Sequence, residues 1–217
     1  MALAIFDLDE TLIHGDCASL WSEQMVRLGW VDGESFLRRD KELMDAYGKG
    51  HLAMEDYMTF SLEPLIGRTP EEVEHLVAPW VEDFIEPIIF SDATKTIAAH
   101  RKAGDRILVI SASGTHLVKP IADRLGIDEI LGIELEVERG AYTGKTTGVL
   151  TYREGKITRL LEWLDQEEEN LEGASFYSDS RNDLPLLLKV DFPHVVNPDP
   201  VLREHAEKNK WPIHTWK

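Results

Sequence analysis

The stretch Leu3-Ala4-Ile5-Phe6-Asp7-Leu8-Asp9-Glu10-Thr11 decides the fold of this chain. Its apolar residues predict a buried strand, and two carboxylates follow two positions apart. A strand's period of two would aim Asp7 and Asp9 at the same side, and open α/β sheets bind ligands at the carboxyl ends of their strands. Two acids there repel one another, which predicts a divalent metal, a perturbed pKa, or both. The alternative is a strand that ends in a solvated acidic turn.

The length and composition are typical of a globular α/β protein. The 217 residues suffice for one α/β domain plus an insertion, and 43% of them are hydrophobic. With 40 acidic and 23 basic residues, the formal charge is −17. Such a charge repels nucleic acid and anionic membranes, so we expect neither as a partner. A phosphate ester would need a local positive site.

Neither a disulfide nor a targeting segment is expected. Cys17 is the only cysteine, so no intramolecular disulfide can form. Acidic residues among the first ten positions argue against a secretory or transit peptide. No apolar run approaches the ~20 residues that span a bilayer. We therefore predict a soluble, cytoplasmic protein, either a monomer or a homodimer.

A block of helical periodicity follows the first strand. Helices are predicted at Cys17–Leu28, Glu34–Tyr47 and Ala53–Leu65. Thr69-Pro70-Glu71-Glu72 predicts a fourth helix, with Thr69 as N-cap and Glu72 completing a capping box. That helix should run towards Phe84 and end near Pro87. No strand is evident here, which predicts a helical insertion.

From Asp92 onward, helix and strand patterns alternate. Helices are predicted at Ala93–Ala103, Lys119–Leu125, Ile157–Leu164 and Leu184–Leu188, and from Asp199 onward. Strands are predicted at Arg106–Ile110, Ser175–Ser178 and His194–Val196, with a hairpin within Ile133–Tyr152. The alternation predicts an α/β fold with a helix-covered parallel sheet. The sheet domain would comprise residues 1–15 plus 88–217, and the inserted helical domain residues 16–87.

Three later positions could add chemistry to the strand ends. Ser111-Ala112-Ser113-Gly114-Thr115 offers backbone N–H groups and a hydroxyl suited to an anion, although most such segments only cap helices. Lys156 lies in a first helical turn, against the dipole, although a surface lysine is the commoner explanation. Asp179 and Asp183 lie four apart across a strand-to-helix turn and can face one crevice. Helix capping explains one of these two acids more easily than both.

These motifs occur in the order Asp7/Asp9, Ser111, Lys156, Asp179/Asp183. Their order and strand context resemble the haloacid dehalogenase-like (HAD) hydrolase superfamily. Asp7-Leu8-Asp9-Glu10-Thr11 matches its DxDxT signature, and the resemblance covers most of residues 1–15 and 90–200. It implies a Rossmann-like three-layer parallel sheet and a helical cap similar to that of phosphoserine-phosphatase-like members. It also implies a phosphatase that uses Mg²⁺.

The same resemblance implies roles for the first motif and the metal. Asp7 would be the nucleophile that forms an aspartyl-phosphate, and Asp9 the general acid and base. Mg²⁺ would be held by the carboxylates of Asp7 and Asp179, the backbone carbonyl of Asp9 and water.

It further implies roles around the phosphoryl group. Ser111 and Lys156 would bind the phosphoryl oxygens, with the backbone at Ala112 beside them. Asp183 would orient Lys156 or a metal-bound water, and Asn182 would hydrogen-bond near the phosphate.

The resemblance implies that the inserted helices select the leaving group of the phosphate ester. Asp16 lies where phosphoserine-phosphatase-like members tend to have a glutamate that meets the substrate's amino group. The stretch Tyr57-Met58-Thr59-Phe60-Ser61, where an arginine for a substrate carboxylate is expected, is uncharged. An amine-bearing ester such as histidinol phosphate therefore fits better than phosphoserine, which stays the alternative. Trp21, Trp30 and Trp80 could stack on an imidazole, although aromatic residues at this spacing are more often core.

Other functional classes fit the sequence less well. Gly140-Ala141-Tyr142-Thr143-Gly144-Lys145-Thr146 has three residues between its glycines where a nucleotide-binding loop needs four. His14 and His116 are expected to be ordinary surface residues. A phosphotransferase or phosphonate hydrolase on the same scaffold is one rival. Another is a non-catalytic regulator that binds a metabolite, which would be expected to have lost Asp7 or a metal ligand.

Overall fold

A single seven-stranded sheet organises the computed structural model, which describes residues 2–49, 51 and 53–217. The strands are β1 (Leu3–Phe6), β2 (Arg106–Gly114), β3 (Glu129–Glu138), β4 (Ala141–Thr147), β5 (Ser175–Ser178), β6 (Phe192–Val196) and β7 (Ile213–His214). Their order is β4-β3-β2-β1-β5-β6-β7. Neighbouring strands run parallel except β3 and β4, which form an antiparallel hairpin. The predicted parallel sheet and hairpin are confirmed.

Helices connect most of these strands. Within the described residues they are α1 (Cys17–Arg27), α2 (Gly33–Gly48), α3 (Met54–Leu62), α4 (Pro70–Trp80), α5 (Ser91–Ala103), α6 (Thr115–Arg124), α7 (Glu154–Gln166), α8 (Leu184–Leu187) and α9 (Pro200–Asn209). The first four lie between β1 and β2, which confirms a helical insertion after the first motif. The domain boundaries at residues 16 and 87 stay a prediction. None of the helices described is both long and apolar enough to cross a membrane.

The capping box predicted for the fourth helix is present. The Thr69 hydroxyl accepts a hydrogen bond from the Glu72 N–H at 3.1 Å, and the Glu72 carboxylate accepts one from the Thr69 N–H at 2.7 Å. The helix ends earlier than predicted. After Trp80 the chain continues as a π-helical turn over Val81–Ile85 and a 3₁₀ turn over Glu86–Ile88. Pro79 and Pro87 each lack a backbone donor, which disfavours one uninterrupted α-helix.

The second strand is longer than its apolar run. Backbone pairing with β3 continues past Ile110, and Gly114 pairs with Ile133 after an irregularity in the register. The helix predicted from Lys119 therefore begins directly at Thr115. β7 was not predicted, because two residues are too few to show the alternation of apolar and polar residues that identifies a strand.

The sheet separates two hydrophobic cores. Along β1, Ala4 and Phe6 face the core shared with α5, α6 and the inserted helices, whereas Leu3 and Ile5 face the core built with α7, α8 and α9. This alternation follows from the period of two in a strand. Helices therefore cover both faces, and the predicted three-layer architecture is confirmed.

The tryptophans of the insertion belong to the first core. Trp21 meets Trp30 and Trp80 edge to face, with ring centroids 6.1 and 5.2 Å apart. Trp21 and Trp80 are buried, and the Arg68 guanidinium covers the Trp30 ring. These contacts support the packing interpretation over stacking on a ligand ring.

Candidate active site

The carboxyl ends of β1, β2 and β5 meet at one edge of the sheet, because β1 pairs with both of the others. A cavity of about 280 Å³ opens there, and we call it the catalytic cavity. Asp7, Asp9, Ala112, Asp179 and Asp16 are among the residues that line it. The structure thus brings together motifs that are far apart in the sequence.

Lys156 lies buried between two carboxylates. Its Nζ is 2.8 Å from Asp7 Oδ1 and 2.7 Å from Asp183 Oδ1, and all three side chains are nearly inaccessible. We call these three residues the floor. The surface-lysine explanation is therefore wrong: the position against the helix dipole is stabilised by two acids. Burial alone would lower the pKa of Lys156, but Asp183 and Asp7 outweigh it and raise that pKa, so the ammonium stays charged.

Asp183 is fixed from a second direction. The Ser178 hydroxyl, at the end of β5, donates a hydrogen bond of 2.7 Å to Asp183 Oδ2. A carboxylate held by a hydroxyl on one side orients the ammonium on the other. This geometry is compatible with the positioning role expected for Asp183.

The acids of the cavity carry more negative charge than Lys156 can balance. Burial raises the pKa of Asp7 to about 7, although Lys156 acts in the opposite direction. Burial, together with the charges of Asp7 and Asp183, raises the pKa of Asp179 well above its usual range. The Thr11 hydroxyl donates a 3.3 Å hydrogen bond to Asp179. A bound cation would relieve this repulsion.

Mg²⁺ fits the donors present, because it prefers hard oxygen ligands and keeps several waters. Asp7 and Asp179 line the same cavity and supply carboxylates. Among the described residues, no three His, Cys, Asp or Glu side chains converge as a protein-only metal cage. The expected site needs only two side chains, the backbone carbonyl of Asp9 and water.

Asp9 is held by the insertion and the sheet together. Its Oδ1 accepts the Cys17 N–H at the start of α1 at 2.7 Å, and its Oδ2 accepts the Ser113 hydroxyl at 2.9 Å. Burial raises the pKa of Asp9, and the hydrogen bonds from Cys17 and Ser113 oppose that shift. Ser113 was not predicted as a site residue. Its position was informative, because residues two apart on a strand, here Ser111 and Ser113, face the same side of the sheet.

Three expected phosphate-binding residues, Ser111, Lys156 and Asn182, are not among the residues that line the cavity. Ser111 is fully buried, and its hydroxyl oxygen accepts the Ser113 N–H at 3.1 Å, while Ala112 and Ser113 line the cavity. Asn182 is also buried, and its Oδ1 accepts hydrogen bonds from Arg153 Nε at 3.2 Å and the Tyr152 hydroxyl at 3.3 Å. The phosphate-binding roles of Ser111, Lys156 and Asn182 stay predictions.

The inserted helices supply one wall of the cavity. Met44 and Tyr47 come from α2, Met54 and Tyr57 from α3, and Asp16 precedes α1. Asp16 is the N-cap of α1, since its Oδ1 accepts the Ser19 N–H at 2.7 Å. Burial and the charge of Asp9 raise the pKa of Asp16 to about 8. We call Asp16 and Tyr57 the polar wall.

The two histidines expected at the surface differ. His14 is 74% exposed, as predicted. His116 is partly buried, and burial lowers its pKa to about 4, so the surface prediction was wrong for it. The ring can pack there because Gly114 has no side chain: a Cβ would lie 2.6 Å from His116 Nδ1.

Comparisons with known proteins identify the family of the chain. A family model of haloacid dehalogenase-like hydrolases matches residues 4–188. The chain is 36% identical to a histidinol-phosphatase of Neisseria meningitidis serogroup C (strain 8013) over 99% of both chains. It is 27% identical to the phosphoserine phosphatase SerB1 of Mycobacterium tuberculosis (strain ATCC 25618 / H37Rv), covering 100% of this chain and 71% of that protein.

Solved structures share the fold. A protein of unknown function from Bordetella pertussis Tohama I superposes with a TM-score of 0.92 at 33% identity, covering 99% of this chain and 98% of that one. A phosphoserine phosphatase, captured as an analogue of its phospho-aspartyl intermediate, has a TM-score of 0.71 at 24% identity and covers 100% and 93% of the two chains.

The chain belongs to the haloacid dehalogenase-like hydrolase family. Relatives named as phosphatases confirm the prediction of a phosphatase-type enzyme. Those relatives are named for different substrates, so the substrate must be argued from this chain's own cavity.

Proposed function

We propose that this protein is a Mg²⁺-dependent phosphomonoesterase for a small amine-bearing phosphate ester, with histidinol phosphate as the first candidate. An aspartyl-phosphate on Asp7 would be the intermediate. The observation that carries the proposal is the buried floor, in which Lys156 pairs with Asp7 and Asp183. Of the floor residues, Asp7 lines the catalytic cavity together with Asp9 and Asp179.

The floor supports nucleophilic attack by Asp7. Lys156 engages Asp7 Oδ1, and no hydrogen bond within the described residues uses Oδ2, which leaves that oxygen for phosphorus. The buried ammonium offers charge to an anionic phosphoryl group in a protein with a net charge of −17. When bound by Asp7, Asp179 and the Asp9 carbonyl, Mg²⁺ would add charge stabilisation for the phosphoryl oxygens.

Asp9 is suited to proton transfer at the leaving group. Its carboxylate lines the cavity and is fixed by Cys17 and Ser113. Burial raises its pKa, which favours a carboxyl group that protonates the departing alkoxide and afterwards accepts a proton from water. A fixed orientation reduces the entropy lost on reaching the transition state.

The cavity lining supports a cationic leaving group. Six of its fourteen described lining residues are acidic and none is basic. A substrate carboxylate would find no positive partner among them, which disfavours phosphoserine. A substrate amine could pair with Asp16: burial and then the charge of Asp9 raise its pKa to about 8, and a bound ammonium would favour the charged carboxylate. The relative named histidinol-phosphatase, 36% identical over nearly the whole chain, supports the same choice.

Phosphate release from a panel of esters tests the proposal. The panel contains histidinol phosphate, phosphoserine and amine-free alkyl phosphates, each with Mg²⁺ and with EDTA. We expect metal-dependent turnover, a preference for histidinol phosphate, and loss of activity in Asp7→Asn. Equal turnover of unrelated esters would defeat the substrate assignment. A folded protein that binds Mg²⁺ but releases no phosphate would favour a transferase or a metabolite-binding regulator.

A further inference from the structure

Tyr57 in α3 has a buried polar atom that the folded chain leaves unpaired. The residue is 4% exposed and lines the catalytic cavity. Within the part of the chain that the structure describes, its hydroxyl has no hydrogen-bond partner. An unpaired buried hydroxyl is unfavourable, because it has lost its hydrogen bonds to water and gained none in the protein. A partner from outside the chain would remove that cost.

A small second cavity, which we call the annex, adjoins the first. It measures about 20 Å³ and shares Ala18, Tyr57 and Ser113 with the catalytic cavity. Trp21 and His116 also line it, and among the described residues neither Trp21 Nε1 nor His116 Nδ1, both buried, has a partner. A polar space of roughly this size holds one water, which needs two to four polar partners.

A water in the annex would leave part of Tyr57 available. It could pair with Trp21 Nε1, His116 Nδ1 and the Tyr57 hydroxyl. Because a hydroxyl can donate one hydrogen bond and accept two, Tyr57 could still make a bond in the catalytic cavity. A water in the annex would then bind the Tyr57 hydroxyl from one side, and the substrate would contact the same hydroxyl from the catalytic cavity.

The surroundings of this hydroxyl favour a positively charged donor. Burial and then the charges of Asp16 and Asp40 raise the pKa of Tyr57 well above its usual value, so the phenol stays neutral. Asp40 is itself buried and accepts hydrogen bonds from the hydroxyls of Ser19 and Ser22 at 2.9 and 3.0 Å. Two acidic side chains therefore lie near Tyr57, and no basic residue is among the described residues that line either the catalytic cavity or the annex, His116 apart.

We propose that Tyr57 is a specificity-determining residue whose hydroxyl oxygen accepts a hydrogen bond from the ammonium group of the leaving amino alcohol, beside the Asp16 carboxylate. This inference rests on the proposed phosphatase function and adds the group that recognises the amine. An ammonium has several N–H donors, so it can satisfy Asp16 and Tyr57 together. Tyr57 thereby distinguishes amine-bearing esters from esters of the same size without an amine.

The matched pair 2-aminoethyl phosphate and n-propyl phosphate tests the inference. Tyr57→Phe removes one oxygen and keeps the ring in the wall. Because a hydrogen bond to a charged group contributes about 1.5–3 kcal/mol, kcat/KM for the amine ester should fall about 10- to 100-fold, mainly through KM. The value for n-propyl phosphate should stay within about twofold, because phenylalanine keeps the ring and this ester has no ammonium group to lose a partner. Tyr142→Phe, in β4 and outside both cavities, should change neither value.

Binding of the free amino alcohol histidinol, measured by calorimetry, separates this inference from the proposed function. We expect the wild type to bind it about 10-fold more tightly than Tyr57→Phe, if one charged hydrogen bond is lost. If histidinol affinity differs in this way but the wild type hydrolyses none of the esters, the phosphatase proposal is overturned and the role of Tyr57 is kept. Equal losses on both esters, or unchanged kinetics and binding in Tyr57→Phe, would overturn the role of Tyr57.

Discussion

The floor and the polar wall of the catalytic cavity differ in how their polar groups are satisfied. In the floor, Lys156 and two carboxylates pair with one another inside the protein. In the wall, Asp16 uses one oxygen to cap a helix, and the Tyr57 hydroxyl has no partner within the described residues. The floor pairs its charged groups within the protein, whereas the wall keeps polar groups that a substrate can engage. Floor variants should therefore slow every ester, and wall variants should change the ranking of esters.

The largest effect is expected from Lys156→Met. Removal of one oxyanion-stabilising group lowers kcat by about 10²–10³-fold, and we expect this loss on every ester. Two buried carboxylates would also lose their cation, which should lower the free energy of unfolding by about 3–5 kcal/mol. Steady-state kinetics and urea denaturation measure the two effects.

Lys119→Met is the control for that experiment. Lys119 is an exposed lysine in α6 that pairs with Asp123. Its replacement should change neither kcat nor the free energy of unfolding. Turnover by Lys156→Met near the wild-type rate would show that the floor does not act on the phosphoryl group.

Ser113→Ala should have the next largest effect. The variant removes the hydroxyl that holds Asp9 Oδ2, and we expect kcat to fall about 10-fold on all esters, as for loss of a hydrogen bond to a charged group. Ser113→Thr keeps the hydroxyl and should retain more activity. A selective loss on amine-bearing esters would instead assign Ser113 to the wall.

Asp16→Asn separates the wall from the floor. Asparagine caps a helix as well as aspartate does, so α1 should be preserved. We expect kcat/KM for 2-aminoethyl phosphate to fall about 10-fold or more, as for a lost charged hydrogen bond, while n-propyl phosphate is unaffected. Parallel kinetics on both esters measure the difference. An equal loss on both would mean that Asp16 only supports the helix.

The smallest expected effect is a pH dependence of the free energy of unfolding that Asp16 causes. In the folded protein the pKa of Asp16 is about 8, against 3.8 for an unperturbed aspartate. Between these values the unfolded chain releases the proton while the folded chain keeps it, so the wild type loses stability as the pH rises from about 4 to 8. Asp16→Asn should not lose stability in this way, because an asparagine side chain has no proton to release in this pH range.

Melting curves in metal-free buffer measure that difference. The melting temperature of Asp16→Asn minus that of the wild type should increase through this pH range, by about 2–4 °C for each kcal/mol. Asp45→Asn, at an exposed position in α2, should show no such trend. A difference that stays constant with pH would contradict a carboxyl group destabilised in the wall.

The floor and the acids beside it could be predicted from the sequence because they lie at strand ends or in the first turn of a helix. Asp7, Asp9 and Asp179 follow buried strands, and Lys156 was noticeable because it opposes a helix dipole. The alternation of strand and helix patterns also predicts the helix-covered parallel sheet and the hairpin. The end of β2 was placed too early because backbone pairing with β3 continues beyond the apolar run.

The wall could be predicted only in part. Asp16 was found by resemblance, but Tyr57 was noted merely as uncharged, and His116 was assigned to the surface. The buried polar atoms of Trp21, Tyr57 and His116 come together from three helices, α1, α3 and α6. Such convergence depends on tertiary packing, and no local period in the sequence reports it.

Trapping of the phosphoryl-enzyme tests the central claim most directly. The protein is mixed with histidinol phosphate and Mg²⁺, quenched in acid within the first turnover, and mapped by peptide mass spectrometry. We expect one phosphoryl group on the peptide that contains Asp7, sensitive to hydroxylamine as an acyl phosphate is, and absent from Asp7→Asn. A phosphoryl group on another residue, or turnover with no phosphoryl-enzyme under any quench, would contradict it.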